Sequence, residues 1–517
     1  MKTFVQKAVC AVLIQTLVGA QLGVAATTIA WPTPAPQQQA VPIQPQQQRV
    51  AMRPNFEAPS ATNCQRPMQT HEVSDGQMRP QPQLYGAPRL SEDASDASRR
   101  KDTAVPIETP GGRALAAPSA PAMPSAAMRA EGKLASEPMP APASAAMAES
   151  RATAAPMPDK AMLRMPAPQP LPQNQGPVSA GMVDDNAAFS DYLAFRQRTQ
   201  VEHRARDVRE RYLLEVNDGQ GHGVPDAEVA VQAANGATSW LRTDAAGKAW
   251  IHPDAFDNAR SRFYEVTVRQ GSRQASTVLQ RGQKSAVEVQ LAQARLPAKA
   301  KLDLVFLVDA TGSMDDEIDK LKSSLRSITD EVARLPSHPD LCLGLVAYRD
   351  RGDAFFVRSH DLTNDVNAFQ GALNALQAAG GGDEPEAMNE ALHETVHHIS
   401  WRGDQTTRLV VLVADAPPHL DYGGPQYDDD MLAALGKGIK VMSVGASGLN
   451  PQGEYIQRQI AQYTGGRFIF LTYADAANPA SGPGRETVHD VRNYSVQTLD
   501  KLIVRLVREE LEKLPKV

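Results

Sequence analysis

Asp309-Ala310-Thr311-Gly312-Ser313 sets one carboxylate and two hydroxyls at alternate positions of a short loop. Oxygen ligands spaced this way suit a hard divalent cation. The competing reading is a turn whose Asp and Ser do no more than cap the next helix. A second pattern, His393-Glu394-Thr395-Val396-His397, matches HExxH, which on a helix can set two imidazoles on zinc with glutamate as general base. Ala387, Ala391, Leu392, Val396 and Ile399 make the apolar face of that helix, so His393, Glu394 and His397 are expected to point elsewhere. His419 is the nearest candidate for a third ligand, and a metalloprotease reading is set aside. Two RGD tripeptides, Arg351-Gly352-Asp353 and Arg402-Gly403-Asp404, lie beside expected strands and read as surface-loop salt-bridging. Gly380 to Gly382 lacks the Gly-Lys-Ser or Gly-Lys-Thr of a phosphate loop, and no Ser-His-Asp set stands in a nucleophile context.

The elements around the first loop place it at the end of a strand. Leu302 to Val308 reads as a buried strand, and after the loop Asp315, Asp316 and Glu317 precede Ile318, Leu321, Leu325, Ile328, Val332 and Leu335 at helical spacing. In open α/β sheets, ligands bind at the carboxyl ends of the strands. From 300 to 514 strand and helix patterns alternate, with strands expected at 302–308, 341–348, 408–414, 439–445 and 467–471 and a short edge strand near Phe355 to Arg358. Such alternation gives a doubly wound, mostly parallel sheet covered on both faces.

The chain before that region changes character several times. At 517 residues with a net charge of -6 it should hold two or more domains, and the acidic balance excludes a general nucleic-acid binder. Residues 1–26 resemble a secretory signal: Lys2 and Lys7, an apolar stretch from Ala8 to Val18, and small residues at Val24-Ala25-Ala26. Gln15 and Gln21 leave that stretch short of the ~20 apolar residues a membrane span needs. Residues 27–180 hold 26 of the 39 prolines but three aromatics, Trp31, Phe56 and Tyr85, and are expected to be a disordered spacer that holds the folded parts away from an anchoring surface. Signal removal leaves Cys64 in the spacer and Cys342 in an apolar strand, a placement that predicts no structural disulfide. A helical segment is expected at 181–207, its basic residues a solvated face. Strands at 212–216, 227–231, 263–268 and 286–291 predict a small β-sandwich over 208–295.

Two resemblances follow. Asp309-Ala310-Thr311-Gly312-Ser313, Gly380-Gly381-Gly382-Asp383-Glu384-Pro385-Glu386-Ala387 and Asp415-Ala416-Pro417-Pro418-His419, in that order, resemble the metal-ion-dependent adhesion site of von Willebrand factor A domains, with Thr311 where the usual DxSxS has its first serine. The Gly223 to Val229 phrase followed by Thr243-Asp244-Ala245-Ala246-Gly247 is similar to carboxypeptidase-regulatory-like sandwiches, which are spacers or adhesive modules. The first resemblance implies that Asp309, Thr311, Ser313, Asp383 and Asp415 surround an ion, some through water. It also implies one coordination position left for an acidic residue of a protein partner. An all-oxygen set selects Mg²⁺, with Mn²⁺ or Ca²⁺ as alternatives.

Asp383 stands where the family usually has threonine. Three ionised aspartates around a divalent ion leave a charge of -1 instead of zero, which implies tighter metal binding and a weaker call for an acidic ligand. Asp316 and Glu317 lie where some integrin chains hold a second ion, and read here as acidic complements to a helix amino end. Together these features imply an exported, periplasmic or surface-exposed protein that binds a protein partner through the metal, without catalysis, Tyr422, Gly423 and Gly424 shaping the rim. The alternative is a hydrolase with a metal-bound water and His419 as base; a third class is a purely structural envelope protein.

Overall fold

A computed structural model of the chain describes residues 64, 67–78, 177–382, 384–403 and 405–515. The expected signal, most of the expected spacer, and Asp383 and Asp404 lie outside the described residues. The strands β1 (Thr70–Val73) and β2 (Ser179–Val183) come first in the chain, yet both belong to a sheet built mainly from residues beyond 300. Then α1 (Phe189–Arg198) leads into β3 (Tyr212–Asn217), β4 (Glu228–Ala233), β5 (Thr238–Arg242), β6 (Lys248–Ile251), β7 (Phe263–Gln270), β8 (Arg273–Gln280) and β9 (Val287–Gln290).

These seven strands form a three-stranded sheet, β6-β3-β9, and a four-stranded one, β5-β4-β7-β8. Alternate residues of the strands, such as Leu214 and Val216 on β3, Val229 and Val231 on β4 and Val266 and Val268 on β7, bury in one shared core. Met431, Leu435, Tyr455 and Tyr463, from helices further along the chain, bury in the same core. Asp226, at φ 57 in a turn of the Gly-Val-Pro-Asp phrase, ties the two parts together: its carboxylate lies 2.8 Å from Arg242 Nη1 and 2.9 Å from Arg408 Nη1, and all three residues are buried.

The second half runs β10 (Lys301–Asp309), α2 (Asp315–Ala333), β11 (Asp340–Tyr348), β12 (Val357–Thr363), α3 (Val366–Ala375), α4 (Met388–His397), β13 (Thr406–Ala414), α5 (Tyr427–Lys437), β14 (Ile439–Gly445), α6 (Pro451–Tyr463), β15 (Phe468–Leu471), β16 (Gln497–Thr498) and α7 (Leu499–Glu512). The nine-stranded sheet has the order β1-β12-β11-β10-β13-β14-β15-β2-β16. From β11 through β15 it is parallel, as the near-continuous apolar runs require of strands buried on both faces. Leu302, Leu304, Phe306 and Val308 of β10 bury with α2, α3 and α7 on one face, and Val305 and Leu307 with α4, α5 and α6 on the other. Parallel register sets Asp309 opposite Tyr348 and Val308 opposite Val413, so the carboxyl ends of β10, β11 and β13 open at one place.

Several expectations are corrected. Residues 70–73, inside the expected spacer, pair antiparallel with β12, so β12 is longer than the edge strand expected near 355–358 and is no edge. Cys64 and Cys342 form a disulfide, against the expectation from their placement in a spacer and an apolar strand; the two are buried together beside Val73, Val305 and Val346, so the chain around Cys64 packs on the sheet. The segment expected to be helical at 181–207 begins inside β2 and is helical only over Phe189–Arg198, and Arg204 and Arg206 beyond the helix lie 3.2 and 2.8 Å from the buried carboxylate of Asp428, so they are not a merely solvated face. Arg402 is no surface-loop residue either: it is fully buried and its Nε lies 2.6 Å from the equally buried Asp303. Arg351, by contrast, is exposed beside Tyr422 and Asp75.

Candidate metal centre

Asp309 ends β10 with its side chain fully buried. Its Oδ1 accepts from Thr311 N at 3.0 Å and from Thr311 Oγ1 at 2.7 Å, and Thr311 Oγ1 lies 3.0 Å from Ser313 Oγ. The loop's backbone is held by the glycine loop, through Gly312 N to Gly380 O at 2.9 Å and Ala379 N to Ala310 O at 3.1 Å. Asp415, just past the end of β13, is 4% exposed. The structure therefore brings Asp309, Thr311, Ser313 and Asp415 to one sheet end, while Asp383 is outside the described residues.

A further residue belongs to this cluster and was not singled out from sequence. Glu386 is buried, its backbone N donates to Pro417 O at 3.0 Å, and its O accepts from His419 N at 3.1 Å. Gly381, at φ +63, passes so close to it that a Cβ there would stand 2.6 Å from Glu386 Oε1 and 2.9 Å from Thr311 Cβ. Only glycine accommodates that approach without displacing both. The signal in sequence was the acidic residue directly before the apolar face of α4; its direction toward the strand ends was not readable.

Electrostatics mark the cluster. Burial, then the charge of Asp415, pushes Asp309 up to about 7, against the hydrogen bonds from Thr311. Burial also raises Asp415. Glu386 is pushed up to about 9 by burial, then by Asp309, Asp350, Asp415 and Asp353. Carboxylates crowded in low dielectric without a counter-charge resist ionising together. Asp309 Oδ2, Asp415 Oδ1 and Glu386 Oε2 are buried without a hydrogen-bond partner among the described residues. Unpaired buried oxygens are costly, and the oxygen donors of Asp309, Thr311, Ser313 and Asp415 are of the type a hard divalent cation takes.

The other sequence candidates have partners of their own. Glu317 is buried and accepts from Tyr473 Oη at 3.0 Å and Ser447 N at 3.2 Å, so its carboxylate is engaged between those groups; burial raises its pKa. His419 stacks on Tyr422 with ring centroids 3.6 Å apart, its Nδ1 2.9 Å from Asp421 and its Nε2 3.8 Å from Asp350. It does not complete the HExxH pair: Asp430 of α5 does, with Oδ1 2.9 Å from both His393 Nδ1 and His397 Nε2. Tyr422 Oη donates to Asp350 at 2.7 Å, which fixes the loop after Pro418 beside the 350–353 turn, whose Asp353 accepts from Gly381 N at 2.8 Å.

A doubly wound α/β domain with a carboxylate and hydroxyl cluster at the ends of its central strands is the class that fold and site define. Residues 303–418 match the family model for the von Willebrand factor A domain, and the chain carries such a domain. Over 137 residues the chain is 30% identical to an alpha-protein kinase, vwkA, of Dictyostelium discoideum, covering 26% of this chain and 21% of that protein. It is 36% identical over 115 residues to mouse von Willebrand factor A domain-containing protein 7, covering 22% and 12%, and 24% identical over 223 residues to human integrin beta-6, covering 38% and 27%. The chain thus spans about a quarter or less of the length of these relatives.

Proposed function

We propose that this chain is an exported, metal-dependent protein-binding protein whose A domain engages a partner through a divalent cation held by Asp309, Thr311, Ser313, Asp383 and Asp415, with Glu386 beside them. The observation that carries this reading is that Asp309 and Asp415, each buried with a carboxylate oxygen unpartnered among the described residues, end the neighbouring strands β10 and β13 beside Thr311 and Ser313. Mg²⁺ suits the donor set best, and Mn²⁺ and Ca²⁺ share its oxygen chemistry. The similarity to integrin beta-6 supports a binding role. The Cys64–Cys342 disulfide supports an oxidising compartment, as export through a signal at 1–26 would provide. Among the described residues no helix is long and apolar enough to cross a membrane.

The sandwich supports this as a brace. Its core is continuous with α5 and α6, so it steadies the A domain from the side. A pull-down from envelope extract, run with Mg²⁺ and with chelator, tests the reading. A partner retained with Mg²⁺, and lost both with chelator and with Asp309→Ala, is expected; retention in all three conditions would leave a structural envelope protein. Calorimetry on Asp383→Thr tests that residue's part, with weaker Mg²⁺ binding expected.

A further inference from the structure

We propose that His393, His397 and Asp430 form a second metal site, for a borderline divalent transition ion of the Zn²⁺ class, that clamps α4 to α5. Residues four apart on a helix stand one above the other, and the two imidazoles have centroids 4.3 Å apart on α4. Asp430, in the first turn of α5, meets both: its Oδ1 lies 2.9 Å from His393 Nδ1 and 2.9 Å from His397 Nε2. One potential ligand atom from each of the three residues falls within 4.8 Å of the others.

A second observation points to a ligand. Asp430 is 2% exposed, and its Oδ2 is buried with no hydrogen-bond partner among the described residues. Two imidazoles crowd one oxygen while the other has none. An ion drawing on the carboxylate and on both ring nitrogens removes that imbalance. Without an ion, His393 Nδ1 and His397 Nε2 carry the protons they donate to Oδ1; with one bound, each proton moves to the opposite ring nitrogen. The His side chains are 21% and 18% exposed, so a fourth position opens toward water.

Two imidazoles and one carboxylate favour Zn²⁺ over Mg²⁺ or Ca²⁺. Glu394, which a peptidase would use as general base, is spoken for: its Oε1 lies 2.9 Å from His71 Nδ1 and accepts from Ser359 Oγ at 2.7 Å, and its Oε2 lies 2.9 Å from His398 Nδ1. The site is therefore a binding clamp and not a hydrolytic centre. It shares no ligand with the carboxylate cluster and stands independently of the function proposed for that cluster.

The test is calorimetric titration of the untagged, full chain with Zn²⁺ in excess Mg²⁺, on wild type, His393→Ala, Asp430→Asn and Asp309→Ala. One equivalent of Zn²⁺ should bind to wild type and to Asp309→Ala alike, with at least about tenfold loss in His393→Ala and Asp430→Asn. Zn²⁺ should also raise the melting temperature of wild type and not of His393→Ala. Should Asp430→Asn fail to fold, His397→Gln gives the same reading. Equal Zn²⁺ affinity in wild type and His393→Ala, or no stoichiometric binding to wild type, overturns the proposal.

Discussion

The carboxylate cluster at the strand ends and the histidine pair between α4 and α5 are two answers to the same problem, a charged group placed where water is scarce. At the strand ends, burial and then the neighbouring carboxylates raise the pKa values of Asp309 and Glu386, burial raises that of Asp415, and one oxygen of each has no hydrogen-bond partner among the described residues. Between the helices, the single carboxylate of Asp430 is met by two imidazoles, and its pKa falls because the hydrogen bonds and charges of His393 and His397 outweigh the upward push of burial. The difference teaches that ligand chemistry sorts the two sites. Oxygen alone calls for a hard ion, and imidazole with one carboxylate for a borderline one.

The largest effect separates acid loss of either metal from acid loss of the fold itself. His252, buried in the sandwich against Tyr463 with centroids 5.1 Å apart, is lowered to about 3 by burial, then by the charge of Arg211. Its unfolded form takes up a proton below about 6.5, so the stability it contributes is full above that pH and is lost as pH falls toward 3. Unfolding curves should lose about 1.4 kcal/mol per pH unit through that window from this group, and His252→Phe should remove that slope. An unchanged slope in the variant would place the acid sensitivity elsewhere.

Next in size is Gly381→Ala. A Cβ at φ +63, pressed on Glu386 and Thr311, should cost about 2 kcal/mol and weaken Mg²⁺ binding while Zn²⁺ binding stays as in wild type. Parallel loss of both ions would break the claim of two independent sites. Smaller is Asp309→Asn, which relieves the repulsion with Asp415 and keeps an oxygen for the Thr311 hydrogen bonds. Chemical denaturation of the metal-free variant should show a gain of roughly 1 kcal/mol, with no further gain from Mg²⁺. Smallest is Glu394→Gln, which should leave Zn²⁺ affinity unchanged although the residue sits inside the HExxH motif; a large loss would return that glutamate to the metal.

What could be read from sequence divides along the same line as the two sites. Apolar runs such as Leu302 to Val308 and Leu409 to Ala414 fix strands whose ends carry Asp309 and Asp415, because a buried parallel strand leaves little ambiguity in length or direction. Glu386 was missed because its side chain is aimed by the turn before α4, not by any periodicity. Asp430 was missed for a different reason: an acidic residue in a first helical turn reads as a complement to the helix dipole, and only the packing of α5 on α4 turns it toward His393 and His397. β1 was hidden because four residues flanked by proline-rich chain carry almost no strand signal, and Cys64 with it, since pairing across 278 residues is a property of the fold.

The most direct test of the account is calorimetric titration of Mg²⁺ into the metal-stripped chain, wild type beside Asp309→Ala, with His393→Ala as the control. Saturable binding in wild type and in His393→Ala, absent in Asp309→Ala, is the predicted result. Equal Mg²⁺ binding with and without the Asp309 carboxylate would contradict the assignment of the strand-end cluster as the cation site.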